Sequence, residues 1–293
     1  PAVYVSHINN RPGSLLMDRL LSPGLHGIDA HAHIFRQDLP MVPGRRYSPH
    51  YDALIEHYLA HLDRHGLAHG VLIQPSFLGT DNSHLLEALR RYPQRLRAVA
   101  VVEPDVSEAQ LDELGEAGVV GVRLNLIGKK LADYRGYAWS ALFQRLAQRG
   151  WQVEIQRGID DVVLIVPAIL ACGVDVVIDH FGLPIGGIDS TKPNHVAFLS
   201  LLGDERVWLK LSAPYRSQSD LAQAQRVLAQ VREAGGGLSR FIWGSDWPNT
   251  QFEDQTDYDR QVAFIAALLP DLNERAQVLL DNPTKLFGFG VSR

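Results

Sequence analysis

Short apolar runs alternate with amphipathic stretches from residue 27 to the end of the chain. The runs fall at 27–32, 70–75, 96–102, 119–126, 152–156, 174–179, 207–212 and 241–245, many of them rich in Val and Ile and almost continuously apolar. A strand of a parallel sheet, covered on both faces, has this signature. Between the runs, residues 51–65 carry Leu54, Tyr58, Leu59 and Leu62 at helical spacing, and 107–117, 138–149, 160–172, 193–203, 219–234 and 257–269 also predict helices. Gly66, Gly118, Gly150 and Gly173 each follow a helix and precede a strand, where a residue free to adopt positive φ ends the helix. Eight strands separated by helices, with no internal linker, predict an α/β chain folded as a single-domain (β/α)8 TIM barrel. An open doubly wound sheet is the alternative; the missing Gly-rich phosphate loop after the first strand weighs against it. The barrel is expected over 26–293, preceded by an N-terminal extension over 1–25 in which Met17 is a candidate start and 1–16 upstream or added sequence.

Composition narrows the partners. The 293 residues suit one barrel. A net charge of −5 and no basic stripe argue against nucleic acid. No stretch reaches the roughly 18 apolar residues of a membrane span, and Asp18 and Arg19 interrupt the leucines at 15–21, leaving no signal-peptide core. The single Cys172 cannot form an internal disulfide and reads as a buried structural thiol. A cytoplasmic protein, monomeric or a small homo-oligomer, is expected. His57, His61 and His65 recur on one face of a helix outside the barrel and read as a solvated face.

In a TIM barrel the chemistry lies at the C-terminal ends of the strands. The first strand ends Asp29-Ala30-His31-Ala32-His33. Strand alternation places His31 and His33 on one face, with Asp29 one step deeper. The sixth strand ends in Asp179-His180 and the eighth in Ser245-Asp246. Each could be incidental alone, a capped histidine or a turn aspartate. All four fall at the same end of three strands, which points to one hydrolytic site formed by His31, His33, His180 and Asp246.

The pattern D-x-H-x-H on strand one, I-D-H on strand six and G-S-D-W-P on strand eight resembles the amidohydrolase superfamily, as does the tail at 281–289. Segments 45–49, 74–82, 121–125 and 212–216 are most similar to its lactonase branch, the 2-pyrone-4,6-dicarboxylate hydrolase-like enzymes. Many superfamily members are binuclear, with a Lys or Glu ligand after strand four and a His after strand five. Here Arg123 and Gln156 lie at those strand ends, and the resemblance therefore implies hydrolysis without a metal. The alternative is one Zn2+ held by His31, His33, His180 and Asp246, a set with reasonable geometry for a single zinc.

On this reading the lactone carbonyl lies among the three imidazoles, which stabilise the oxyanion, and Asp246 is the general base. Arg123 and Arg216, at strand ends, suit an anionic substrate because guanidinium matches carboxylate bidentately. Tyr47, Ser76 and Lys130, with Lys129 as a competing choice, add hydrogen bonds or charge, and the resemblance assigns these positions to the two carboxylates. Gln156 stands where the branch has Tyr, and Lys129-Lys130 where it has Lys-Arg. Muconolactone-type, sulfonated or sugar-acid lactones are thus alternative substrates. The competing functions are a zinc-dependent decarboxylase of the same superfamily and a non-catalytic ligand-binding barrel.

Overall fold

A computed structural model describes residues 19–290. Most of the expected N-terminal extension, including Met17, lies outside the described residues; of the remainder, Leu20 and Leu21 are buried in the core. The strands are β1 (Gly27–Ala32), β2 (Leu67–Ile73), β3 (Leu96–Ala100), β4 (Val119–Asn125), β5 (Gln152–Gln156), β6 (Asp175–Ile178), β7 (Val207–Lys210) and β8 (Phe241–Ile242). They pair in sequential order, all parallel. The helices are α1 (Ile55–Arg64), α2 (Ser83–Arg91), α3 (Glu108–Ala117), α4 (Tyr137–Gln148), α5 (Ile159–Leu170), α6 (Pro193–Leu201), α7 (Leu221–Ala234) and α8 (Tyr258–Leu268), followed by α9 (Leu272–Ala276) and α10 (Asn282–Phe287). This is the (β/α)8 barrel that the hydrophobic rhythm predicts.

The barrel closes through the segment after β8 rather than through a long ladder. Ala30 donates to the Trp243 carbonyl at 2.9 Å, Asp246 to that of His31 at 2.8 Å, and His33 to that of Trp247 at 2.7 Å. Gly244 permits this approach, because a Cβ there would overlap the backbone and Cβ of His31. The same crossing ends β8 after two residues, where the apolar run predicts a strand to 245. Helix α2 has no counterpart in the predicted elements, although Leu85, Leu86, Ala88 and Leu89 are buried at helical spacing.

Apolar residues fill two layers. Val153 and Ile155 on β5, Val176 and Ile178 on β6, and Val207 and Leu209 on β7 join the large cluster under the helices. Ile28, Val71, Val99, Val177, Trp208 and Ile242 form a smaller one, capped by Phe287 and Phe289. Cys172 is half-buried rather than buried, its thiol 3.6 Å from the Ala168 carbonyl. The α1 histidines also differ from a solvated face. Only His57 is exposed; His61 stacks on Tyr258 at 4.6 Å, and His65 Nε2 lies 2.8 Å from Asp259. Among the described residues no helix is long and apolar enough to cross a membrane.

Candidate active site

On β1 the register against β2 slips between Asp29 and Ala32, so three steps on β1 match two on β2. Such a bulge breaks strict alternation. Asp29 therefore does not lie beneath the histidines, as alternation predicts, but accepts from Tyr258 of α8 at 3.0 Å and from the Ser245 amide and hydroxyl at 2.8 and 2.6 Å. It stitches β1 to the segment carrying Asp246. His31 and His33 nevertheless meet, with their Nε2 atoms 3.2 Å apart.

His180 and Asp246 follow β6 and β8 in the left-handed region, with φ of 53° and 57°. Non-glycine residues rarely hold that conformation, and it persists where surrounding contacts enforce it. It turns both side chains toward His31. Asp246 Oδ1 lies 3.5 Å from His31 Nε2, 3.6 Å from His33 Nε2 and 3.9 Å from His180 Nε2. Both Asp246 Oδ1 and His180 Nε2 are buried without a hydrogen-bond partner among the described residues. The other carboxylate oxygen, Oδ2, accepts from Arg216 Nε at 2.6 Å and from the Tyr215 hydroxyl. One face of the carboxylate is thus anchored and the other free to react.

The electrostatics suit this division. Burial keeps all three imidazoles neutral: His31 well below its ordinary value, with Lys210 adding to the effect, His33 lowered, and His180 pushed down to about 4. Burial alone would raise Asp246, but the Arg216 guanidinium beside it holds it well below the usual carboxylate range. Beneath lies a buried charge network from the inward positions of β4 to β7. Arg123 donates to Asp179 at 3.3 Å and to Gln156 at 2.6 Å. Lys210 Nζ contacts Glu154, Asp179 at 3.2 Å and His31 Nδ1 at 2.9 Å. Burial raises Glu154 to about 7.

His33, His180, Asp246, Tyr47, Ser76, Arg123, Gln156 and Arg216 line the cavity above, whereas His31 is fully buried and does not line it. Lys129 and Lys130 do not; both are exposed in the loop after β4. Arg46, within the segment at 45–49 but not singled out there, does line it. Its nearest polar partner is the Asn125 amide oxygen at 3.4 Å, with no carboxylate among its described partners. Burial, then the charges of Arg123 and Arg216, lower its pKa. Tyr215, Glu154, Asp179 and Lys210 were also not predicted. The signal for Glu154 is the Q-V-E-I-Q alternation of β5, polar at alternate positions of a wholly buried strand.

Among the described residues, two groups of side chains converge closely enough to consider a metal: His31, His33 and Asp246, and His31, Asp179 and His180. Both include His31. A lysine ammonium has only donors to offer, and Lys210 Nζ lies 2.9 Å from His31 Nδ1. Lys210 thus competes with a metal for His31, and His33 Nε2, His180 Nε2 and Asp246 Oδ1 are the groups that would hold an ion.

The sequence profile of the family described as Amidohydrolase matches residues 28–289. A 2-pyrone-4,6-dicarboxylate hydrolase of Comamonas testosteroni is 30% identical over 282 residues, covering 89% of each chain. A 4-sulfomuconolactone hydrolase of Hydrogenophaga intermedia is 29% identical over 277 residues, covering 89% of this chain and 88% of that one. A solved structure from Pseudomonas putida, described as a 2-pyrone-4,6-dicarboxylic acid hydrolase, superposes with a TM-score of 0.85 at 42% identity, covering 92% of this chain and 99% of that one. With a barrel of this topology and a His-His-His-Asp cluster at its mouth, the chain belongs to the amidohydrolase family.

Proposed function

We propose that the protein hydrolyses a small anionic lactone, 2-pyrone-4,6-dicarboxylate or a close relative such as 4-sulfomuconolactone. The observation that carries this reading is the pairing of a free carboxylate face with an excess of cations. Among the described residues, Asp246 Oδ1 has no hydrogen-bond partner in a cleft bordered by three guanidiniums, of which Arg46 has no carboxylate partner. Arg123 and Arg216, with Arg46, receive the acidic groups of the substrate, and Tyr47, Ser76 and Gln156 add hydrogen bonds.

The lactone carbonyl then lies over the imidazole cluster. Asp246 Oδ1 takes a proton from a water whose oxygen bonds to the carbonyl carbon. The carbonyl oxygen becomes an oxyanion, held by imidazole N–H donors in a water-poor site. Collapse restores the C=O bond and breaks the ring C–O bond. The proton on Asp246 passes to the departing oxygen, completing the addition of one water. No covalent intermediate is needed, and no step passes through a metal.

A spectrophotometric screen of 2-pyrone-4,6-dicarboxylate, 4-sulfomuconolactone, a muconolactone and sugar-acid lactones, with and without chelator, tests the proposal. Ring opening that survives chelation is the expected result. Stoichiometric zinc required for turnover overturns the metal-free mechanism, and no turnover of any anionic lactone overturns the function.

A further inference from the structure

A buried chain of three hydrogen bonds links Lys210 to the backbone of β2 through two site histidines. Lys210 Nζ lies 2.9 Å from His31 Nδ1, His31 Nε2 lies 3.2 Å from His33 Nε2, and His33 Nδ1 lies 2.8 Å from the Ile73 carbonyl oxygen. Both ends have one possible polarity. An ammonium only donates, and a carbonyl oxygen only accepts. Glu154 and Asp179 flank the Lys210 ammonium, and all three side chains are fully buried. Donation into His31 Nδ1 leaves that ring's proton on Nε2. Donation to Ile73 requires the His33 proton on Nδ1 and leaves a lone pair on its Nε2. The middle contact is then His31 Nε2–H donating to His33 Nε2, and every bond runs the same way.

We infer that Lys210 is a positioning residue which, through this one-way chain, makes His31 a hydrogen-bond donor and His33 an acceptor at the reacting centre. The two imidazoles of the H-x-H motif then have different tasks. His31 Nε2–H turns from His33 to the developing oxyanion. His33 Nε2, whose neutral ring has no inward proton, receives a hydrogen bond from the attacking water and aims it, while Asp246 takes the proton. Lys210 also withholds His31 from metals. These roles rest on the lactonase reading; the two tautomers do not, because they follow from the resting protein.

Long-range 1H–15N correlation spectra of the full chain labelled at histidine, near neutral pH and without substrate, read both rings; signals are assigned with His31→Asn and His33→Asn. The expected result is opposite tautomers, Nε2–H for His31 and Nδ1–H for His33. The same tautomer in both rings, or either ring as imidazolium, overturns the inference. Lys210→Met combined with Glu154→Gln removes one cation and one carboxylate together. In it His31 should lose its single tautomer, kcat should fall roughly 100-fold with KM little changed, and zinc alone should bind at least about tenfold tighter. An unchanged His31 tautomer in the folded variant overturns the role of Lys210. If the variant does not fold, the wild-type spectrum still decides the wiring. Correct tautomers without lactone turnover overturn the functional reading and leave the wiring in place.

Discussion

The chain carries two sets of three closely spaced histidines, and they have opposite fates. His57 and His61 lie on α1 and His65 caps its end, while the other face of α1 packs on the barrel; His61 and His65 use their rings as flat packing surfaces against Tyr258. His31, His33 and His180 come from two segments almost 150 residues apart and aim ring nitrogens at one carboxylate oxygen. Regular spacing on one helix produces a stripe whose partners are whatever the neighbouring helix presents. Convergence of strand ends produces a focus, because parallel strands of a closed barrel all point to one mouth. Periodicity within an element is therefore a weaker sign of chemistry than agreement between elements.

Removing the focus should have the largest effect. Asp246→Asn keeps the shape of the carboxylate and takes away its basicity. It should lower kcat roughly 10³-fold while substrate binding, followed by calorimetry, stays within a few-fold; near-normal turnover refutes the base assignment. Next comes acid sensitivity. The folded value of His180, about 4, lies below its ordinary 6.5. The unfolded chain thus binds the proton first as pH falls, and stability is lost from pH 6.5 down to about 4, by up to roughly 3 kcal/mol. Thermal midpoints across this range should fall less steeply for His180→Asn, and identical slopes would contradict the buried neutral imidazole. A smaller effect follows from Arg123→Lys, which retains charge beside Asp179 but loses the fork. KM should rise about tenfold with kcat less affected, since bidentate recognition depends on the planar guanidinium; unchanged KM in steady-state assays would place Arg123 outside recognition. The smallest change is expected on α1. His61→Ala should cost about 1 kcal/mol of stacking, a few degrees in Tm, with kcat unaltered. A drop in kcat there would erase the contrast between the two sets.

Much of the barrel was legible because its strands are buried on both faces and its helices on one, so each element's period reports its surroundings. The four candidate catalytic side chains were legible because they sit at or just past the ends of apolar runs. The network beneath them was less so. Lys210 is a single cation closing V-W-L-K, and only the order of β5, β6 and β7 brings it against Glu154 and Asp179. Alternation also misplaced Asp29, because a bulge is a property of two paired strands and has no sign in one of them. The loop cations reversed in a similar way: Arg46 lines the cavity while Lys130 stays outside, since the path of a loop depends on what it packs against.

The sequence by itself determined the (β/α)8 architecture and the presence of His31, His33, His180 and Asp246 at one end of it. Local patterns suffice for that, because hydrophobic burial acts residue by residue along the chain. Only the tertiary structure decided which oxygen of Asp246 is free, which arginines share the cleft and which nitrogen of His31 faces Lys210. Those are distances between segments remote in sequence, and hydrogen-bond direction depends on both partners at once.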